Sequence, residues 1–203
     1  MSPKIYKPSL QTKNNILQKA IELFNENGTA SVSMNALAES LGISAGNLQY
    51  HYRNKEEVIR EILEMMFKEF DVIYQPVEEL FTLETLRQIM RLNFNLRWKY
   101  RFFHREFAAL LRNDKILAKR YREIQEQRIT EQENLIKRLA GAGEVRGDLN
   151  PTEVRNVVLI GWVLANTWLS YAESTGQKIN ETALEQAVEI MVQHYKPYLQ
   201  ETH

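Results

Sequence analysis

The 203-residue sequence contains no cysteine, and it holds only eight glycines and five prolines. The missing cysteines exclude disulfides, thiolate chemistry and cysteine-ligated metals, and they are typical of a reducing compartment such as the cytoplasm. Glycine and proline together reach about half of their average share in proteins, which argues against a turn-rich β-sandwich or a disordered polymer. The composition therefore favours an all-α fold of long helices.

Long hydrophobic runs are also missing. The longest, from Val157 to Ala165, has nine residues, whereas a helix that spans a bilayer needs about 20. The first fifteen residues hold no apolar segment of the kind that a signal peptide has. We therefore expect a cytoplasmic protein with no membrane partner.

The net charge is low as well, at +0, but it is unevenly distributed. Residues 1–55 carry six lysines and arginines against three glutamates, and the remainder carries the opposite excess. A basic head on an acidic body is typical of a protein whose head alone binds an anionic polymer. An ordinary solvated face carries the same kind of excess.

Apolar residues recur at helical spacing through most of the chain and predict about nine helices with no strand. Serine, asparagine and aspartate at the expected starts, and glycine at several expected ends, supply capping signals. The clearest start is Asn150-Pro151-Thr152-Glu153, with a cap, a proline at the first helical position and an acid at the third. The predicted ranges are about 12–27, 33–42, 44–52, 54–75, 83–100, 103–112, 114–141, 152–174 and 181–198.

The first three predicted helices are short and lie within about 55 residues, as in a helix-turn-helix unit. Ala38 is small enough for the next helix to cross closely, and Gly42 permits a tight turn. Leu37, Ile43 and Leu48 supply apolar contacts between the helices. The spacing favours a DNA-binding unit, and an ordinary αα-corner of a helical protein also fits it.

The segment from Ser33 to Val58, SMNALAESLGISAGNLQYHYRNKEEV, resembles the DNA-binding head of TetR-type transcriptional regulators. The positions that agree with the pattern of that family are Ser33, Leu37, Ala38, Gly42, Ile43, Ser44, Gly46, Leu48, His51, Lys55 and Val58. Gln49 stands where the family usually has tyrosine, and Met34-Asn35 replace a commoner pair that begins with threonine. Those positions face bases in the family, so the departures concern the operator sequence and leave the binding mode unchanged.

The resemblance implies a helix-turn-helix DNA-binding domain at residues 1–55, linked through the helix at 54–75, and an effector-binding and dimerisation domain at 56–203. It implies a homodimer that binds a double-stranded DNA operator, most often as a repressor. A small hydrophobic effector would bind the body and tilt the linking helix, which would release the operator.

The third helix supplies the expected DNA contacts. Ser44, Ala45 and Gly46 keep its start slim enough for a major groove about 12 Å wide, and the exposed amides of Asn47 and Gln49 suit adenine edges. The residues expected at phosphates are Ser33, Tyr50, His51 and Lys55, with Thr12 or Lys13 at the first helix, and Asn35 is expected to face bases. For His51, a packed structural histidine is the second interpretation.

The predicted helix at 152–174 is apolar around most of its circumference, so more than one side of it has to be covered. Its own subunit covers one side, and a second subunit packed on this helix and the helix at 181–198 would cover another, giving a homodimer. A fully buried central helix of a monomer is the alternative. Asn166 interrupts the apolar helix and either fixes the register of the dimer or anchors a ligand in a cavity.

Large apolar residues on inward faces of several body helices are candidates for a pocket that binds a hydrophobic effector. Together with Asn166, they are Met66, Phe70, Met90, Phe94, Trp98, Phe107 and Trp162. Core packing explains each of them individually as well. Arg97, Arg101 and Arg105 recur at a spacing of four and either bind an anion or form a solvated stripe.

The sequence holds no catalytic constellation, since its four histidines are far apart and neither an HExxH motif nor a glycine-rich phosphate loop occurs. We therefore expect no enzyme, no cofactor and no metal. Besides the transcriptional regulator, the pattern fits a helical small-molecule carrier, or a protein-binding adaptor whose head does not bind DNA.

Overall fold

The structure, a computed structural model, describes residues 10–73 and 81–200. The predicted all-α fold is confirmed, because these residues contain no strand and only one isolated antiparallel bridge, which joins Val145 to Leu199. A single-turn 3₁₀ helix at Lys196–Tyr198 follows the last α-helix. The ten α-helices of the described residues are α1 (Leu10–Asn27), α2 (Met34–Ser40), α3 (Ala45–His51), α4 (Lys55–Ile73), α5 (Leu83–Lys99), α6 (Arg101–Arg105), α7 (Phe107–Asn113), α8 (Lys115–Gly141), α9 (Pro151–Ser174) and α10 (Glu181–Tyr195).

The chain divides into two compact units, Met1–Phe67 and Lys68–His203. The division falls inside α4, whereas the sequence placed the boundary between the functional domains at residue 55. The end predicted for this helix, at residue 75 before Pro76, lies outside the described residues. The roles predicted for the two domains remain predictions.

In the first unit, the helices bury one apolar core. Ile16, Ala20 and Phe24 form a stripe at a spacing of four on α1, and each is at most 1% exposed. Leu37 of α2 and Leu48 of α3 are buried to the same extent. Because α2 and α3 have only seven residues each, they depend on this packing rather than on intrinsic helix stability.

The turn between α2 and α3 depends on a glycine. Gly42 has a φ of 66°, in the left-handed region where a side chain is strained. Its N–H donates to the carbonyl of Glu39 (3.0 Å), and the N–H of Ile43 donates to the carbonyl of Ala38 (3.1 Å). These bonds satisfy carbonyls at the end of α2 and direct the chain into α3.

In the second unit, α5, α9 and α10 enclose the main apolar core. Phe94 packs edge-to-face on Trp168, with ring centroids 5.6 Å apart. At the rim, Arg91 of α5 donates two hydrogen bonds to Glu185 of α10 (2.6 and 2.9 Å). The buried members of this core are Leu86, Met90, Phe94, Ala165, Trp168, Leu169, Ala172, Ala183, Ala187, Val188, Met191 and Val192.

The start that the sequence predicts for the apolar helix α9 is confirmed. Asn150 Oδ1 accepts hydrogen bonds from the N–H groups of Thr152 (3.0 Å) and Glu153 (3.1 Å). The Glu153 carboxylate accepts in turn from the N–H of Asn150 (2.8 Å), and Pro151 occupies the first helical position. This reciprocal capping needs only neighbouring residues, which explains why the sequence locates it.

The structure corrects the predicted number of helices, because the short helix expected at 103–112 is two helices that break at Glu106. Phe102 and Phe103 are adjacent and both 1% exposed, so α6 is buried on two sides. The break then lets Phe107 reach Tyr121, with ring centroids 4.8 Å apart. The apolar spacing is compatible with one continuous helix and does not locate this break.

Candidate DNA-binding surface and ligand cavity

Helix α3 has one buried anchor and an otherwise exposed face. Leu48 is its buried residue, and Ser44 Oγ caps the helix by accepting from the N–H of Asn47 (3.1 Å). The predicted base-reading residues Asn47 and Gln49 are exposed, and Tyr50 is 57% exposed. The structure therefore places these three side chains on the outside of one helix.

The start of α3 is slim, as the sequence predicts. Ala45 and Gly46 are exposed, and a Cβ added to Gly46 would meet no atom within 4 Å. The absence of side-chain bulk beyond Cβ at these two positions leaves room for a DNA backbone or a groove wall. The first turn of α3 thus has the shape that insertion into a major groove requires.

Residues of α1 and α2 lie beside this helix in the first unit. Ser33 caps α2 by accepting from the N–H of Ala36 (3.1 Å), and Asn35 is exposed in the first turn. Thr12, in the first turns of α1, is half-buried. Their DNA contacts remain predictions.

His51, at the end of α3, is half-buried, and neither ring nitrogen has a hydrogen-bond partner among the described residues. Its ring packs edge-on against Tyr50, with centroids 5.6 Å apart. Burial lowers the pKa of His51 below its usual value, and the charge of Lys13 lowers it further. Both effects favour the neutral imidazole in the free protein, in which one ring nitrogen is a hydrogen-bond donor.

Lys55, which the sequence analysis expects at a phosphate, lies at the start of α4 and donates hydrogen bonds within the first unit. Its ammonium donates to the carbonyls of Thr29 and Val32 (3.0 Å to Val32) in the segment between α1 and α2. The side chain is half-buried. In this structure the lysine ties two segments of the first unit together, and a phosphate contact remains a prediction.

The second unit contains an apolar cavity between α5, α8, α9 and α10. Met90 lies on its α5 side, Val157 and Trp162 on its α9 side and Met191 on its α10 side. The cavity volume is about 90 Å³. Its other lining residues are Phe81, Leu86, Ile89, Asn93, Arg97, Gln132, Leu135, Ile136, Leu139, Val145, Leu149, Val158, Gly161, Ala165, Tyr195, Tyr198 and Leu199.

Two local features shape the cavity wall. A Cβ on Gly161 would overlap the hydroxyl end of Tyr195, so glycine permits the close approach of α9 and the Tyr195 ring. The bridge between Val145 and Leu199 brings the segment after α8 to the end of the described chain, and both residues line the cavity. The cavity is thus assembled from distant parts of the sequence.

Two of the eight predicted ligand residues, Met90 and Trp162, line this cavity. Phe94 and Trp98 line a second, smaller cavity, together with His104. Asn166 lines neither cavity but contacts a residue of both, because its Oδ1 accepts from Arg97 Nη1 (2.9 Å).

The remaining three predicted residues lie elsewhere. Met66 is buried in the core of the first unit. Phe70 lies under the Arg97 guanidinium, with its ring centroid 5.3 Å away. Phe107 packs on Phe103 and Tyr121.

Sequence reasoning missed the contribution of α8 and of the chain end to the cavity. Leu135, Ile136 and Leu139 have helical apolar spacing, but nothing in that spacing says which neighbour they face. The sequence did contain a signal for two polar residues of the cavity lining, Asn93 and Arg97. They follow Met90 by three and seven residues, so they interrupt the same buried face of α5.

Arg97 is one of three arginines that the sequence left open between an anion site and a solvated stripe. It is 6% exposed, whereas Arg105 is ion-paired with Glu173 and more exposed. Arg101 stacks on Trp98, 4.5 Å from the ring centroid. The stripe interpretation is therefore wrong for Arg97, which is a buried residue.

His104 is another buried titratable residue of this region. Burial lowers its pKa well below the usual value, and the charge of Arg97 lowers it further. Its Nε2 has no hydrogen-bond partner among the described residues. His104 is consequently neutral and adds no charge to the smaller cavity.

One face of α9 remains apolar and exposed in the single chain. Ile160, Val163 and Tyr171 are 49%, 56% and 66% exposed and lie at spacings of three and eight along the helix. Ile190 of α10 is 38% exposed. Leu164, by contrast, packs against the core of its own subunit.

The described residues provide no helix that is long and apolar enough to cross a membrane. Nor do three or more histidine, aspartate or glutamate side chains in 10–73 and 81–200 lie close enough together to hold a metal ion.

Both units match known protein families. Residues 16–62 match the tetR family described as bacterial regulatory proteins. Residues 65–203, more than half of the chain, match the TetR family described as bacterial transcriptional repressors.

Individual relatives agree with these matches. A solved TetR-family transcriptional regulator from Marinobacter aquaeolei VT8 is 30% identical, with a TM-score of 0.81 over 94% of this chain and 92% of that one. IcaR, the HTH-type negative transcriptional regulator of the biofilm operon icaADBC in Staphylococcus epidermidis, is 32% identical over 79 residues, which are 38% of this chain and 43% of IcaR. UidR, an HTH-type transcriptional regulator of Escherichia coli K12, is 44% identical over 52 residues, 26% of each chain. The chain thus matches less than half of the length of the latter two relatives.

The hydrogen bonds from the Lys55 ammonium to the carbonyls of Thr29 and Val32 form a tether between two segments of the first unit. This tether predicts a loss of stability when the ammonium is removed. Lys55→Met keeps most of the apolar stem and should lower the free energy of unfolding by about 1–2 kcal/mol, because two carbonyls lose a charged donor. Urea denaturation of the full chain measures the change. Lys19→Met is the matched control, since the Lys19 ammonium pairs with the exposed Glu22 and its removal should leave the free energy of unfolding nearly unchanged. Equal stability of wild type and Lys55→Met would contradict the tether.

Proposed function

This chain belongs to the TetR family of bacterial transcriptional regulators, and on that premise we propose that it is a dimeric DNA-binding repressor released from its operator by a small apolar effector. The observation that carries the proposal is the geometry of α3. A slim start and two exposed amides lie on a helix that Leu48 anchors in the core. IcaR is named a negative transcriptional regulator, which supports repression rather than activation for this chain.

The proposed DNA contacts divide into two kinds. Asn47 and Gln49 read base edges in the major groove, since an amide can donate and accept at the same time. Ser33, Tyr50 and His51 meet phosphates, which fix the position of the helix without reading the sequence. An imidazole and two hydroxyl groups suit that role because each can donate a hydrogen bond to a phosphate oxygen of the DNA backbone.

The dimer is proposed because one helix-turn-helix unit needs a second at a spacing of about 34 Å, the distance between two half-sites. The exposed apolar face of α9 supports a second copy of the chain as the partner. Ile160, Val163 and Tyr171 would be covered there, together with Ile190 of α10. Packing of these two helices against the same helices of the partner gives a two-fold symmetric interface.

The effector is proposed to bind the cavity of the second unit and to act through α4. Within that unit, Asp71 near the end of α4 pairs with Arg128 of α8, and Glu69 of α4 accepts from Lys99 of α5 (2.7 Å). Because α5 and α8 also line the cavity, a ligand that moves them would move the end of α4. A tilt of α4 would change the separation of the two α3 helices in the dimer and weaken operator binding.

The base-reading role of α3 predicts a sequence-dependent loss of DNA affinity. Asn47→Ala or Gln49→Ala should cost about 1–3 kcal/mol at the operator and little on random duplex, because only base contacts distinguish the two DNAs. The operator is first selected from a pool of random duplexes by the wild-type protein, and affinities are then measured by fluorescence anisotropy.

Asn95→Ala, which removes an exposed amide from α5, is the control and should change neither affinity. Equal losses on operator and random duplex would remove the base-reading assignment. If the wild-type chain binds no duplex even at low salt, where phosphate contacts are strongest, the carrier or adaptor function replaces the regulator.

The proposed interface predicts that a charge on α9 prevents dimerisation. Val163→Arg places a cation at the centre of the apolar face and should yield monomers or aggregates, because burial of an unpaired charge is costly. Multi-angle light scattering measures the mass. Ile116→Arg is the matched control, since Ile116 is 61% exposed on α8, outside this face, and its variant should stay dimeric. A well-folded Val163→Arg dimer would place the interface elsewhere.

A further inference from the structure

The wall of the cavity in the second unit is α-helical except at one end. Its lining residues outside the α-helices are Phe81, Val145, Leu149, Tyr198 and Leu199. At that end an antiparallel bridge joins Val145, in the chain after α8, to Leu199, in the chain after α10. We call residues 196–200 the strap, because they follow α10 and complete the wall at this end.

Two backbone hydrogen bonds pair the strap with residues 144–146. The N–H of Arg146 donates to the carbonyl of Tyr198 (2.9 Å), and the N–H of Gln200 donates to the carbonyl of Glu144 (2.9 Å). The four helices of the wall are held instead by a continuous ladder of bonds within each helix. A segment with few backbone bonds opens locally at a lower free energy than a packed helix does.

A single layer of chain separates the cavity from solvent at the strap. Val145 is 5% exposed and lines the cavity, whereas the next residue, Arg146, is exposed. In the strap, Leu199 is a half-buried residue of the lining, and the nearby Pro197 and Gln200 are exposed. Separation of the two segments would therefore open the cavity to solvent without displacing a helix.

The opposite end of the cavity is closed by side chains of two helices. Arg97 lies near the end of α5, whereas Phe81 precedes its start. Arg97 is 6% exposed, and its Nη1 donates to Asn166 Oδ1 of α9 (2.9 Å). Opening this end would require α5 and α9 to separate, which would also disrupt the packing of Phe94 on Trp168. The strap is therefore the less costly place to open.

We propose that the strap is the entrance of the cavity, through which the effector passes when the pairing of residues 144–146 with 198–200 separates. The pairing then forms again and closes the cavity around the ligand. This inference rests on the proposed function, because it describes how the effector reaches its site. Opening of the strap sets the rate at which ligand enters and leaves, as the opening of a lid does in other proteins with enclosed sites.

The geometry of the bridge suits a cross-link that would hold the strap closed. Because the two hydrogen bonds flank Val145 and Leu199, these residues form a non-hydrogen-bonded antiparallel pair, whose Cα atoms lie about 4.5 Å apart. A disulfide spans Cα separations of about 4.4–6.8 Å. The sequence contains no cysteine, so the double variant Val145→Cys/Leu199→Cys would form one disulfide without competing thiols.

The experiment measures how fast an apolar probe enters the full-length protein when this disulfide is formed or reduced. Bromobenzene quenches tryptophan fluorescence through its heavy atom, and Trp162 lines the cavity. The saturable phase of quenching is followed by stopped flow. The oxidised double variant should bind the probe about 100-fold more slowly than the same protein reduced with dithiothreitol, because the cross-link removes the local opening. In the single variants Val145→Cys and Leu199→Cys, the same oxidation and reduction should leave the rate unchanged.

Hydrogen exchange of the wild-type protein tests the opening without a ligand or a variant. The amide proton of Arg146 should exchange about 100-fold faster than that of Val158 in α9, because opening of the strap breaks the bond of Arg146 and leaves the helix intact. Nuclear magnetic resonance measures both rates. In the oxidised double variant, exchange at Arg146 should become slower.

The outcomes separate the entrance from the effector site. Quenching at equal rates in the oxidised and reduced double variant would overturn the inference and leave the effector cavity in place. Exchange at Arg146 as slow as at Val158 would overturn it as well, and this measurement decides if the double variant does not fold. Absence of saturable quenching in the wild type would overturn both the inference and the proposed effector cavity. Slow entry in the oxidised form, without any effect of bromobenzene on operator binding by the reduced form, would uphold the inference and contradict the release mechanism.

Discussion

The packing of α9 is the constraint on which the second unit depends. This helix is apolar around most of its circumference, and a single chain covers only part of it. Trp168 and Ala172 are buried in the core that α9 forms with α5 and α10, and Gly161 lets Tyr195 approach closely at the cavity. Val163 is left exposed on the remaining side. Core, cavity and proposed dimer interface are thus three sides of one helix, so a ligand on one side can influence the packing of the others.

Ion pairs hold the end of α4 to other helices of the second unit. Asp71 pairs with Arg128 and Glu69 pairs with Lys99, so the part of α4 in the second unit is held by α8 and α5, two of the helices that line the cavity. The helix is continuous from Lys55 to Ile73, and a continuous helix transmits a tilt along its length. The proposed coupling therefore needs no large rearrangement, only a shift of α5 or α8 that α4 follows.

Local signals in the sequence predicted those parts of the structure that neighbouring residues determine. The caps at Ser33, Ser44 and Asn150 and the turn at Gly42 are of this kind, and the structure contains them all. The cavity was less predictable because it depends on which helices face each other, and periodicity gives a buried face without naming its neighbour. For the same reason the sequence does not show that Phe94 packs on Trp168 and lines the smaller cavity. The tether made by Lys55 joins it to Val32 and Thr29, which lie 23 and 26 positions earlier in the chain, so no local pattern in the sequence predicts it.

The central claim is that occupation of the cavity weakens operator binding, and a reciprocal titration tests it most directly. The operator affinity of the full chain is measured with and without a saturating concentration of a small apolar ligand that calorimetry shows to bind the protein, and the affinity for that ligand is measured with and without operator. The account predicts that each ligand weakens the other by the same factor, about 5- to 150-fold, as thermodynamic linkage requires. Simultaneous binding of both ligands with unchanged affinities would contradict it.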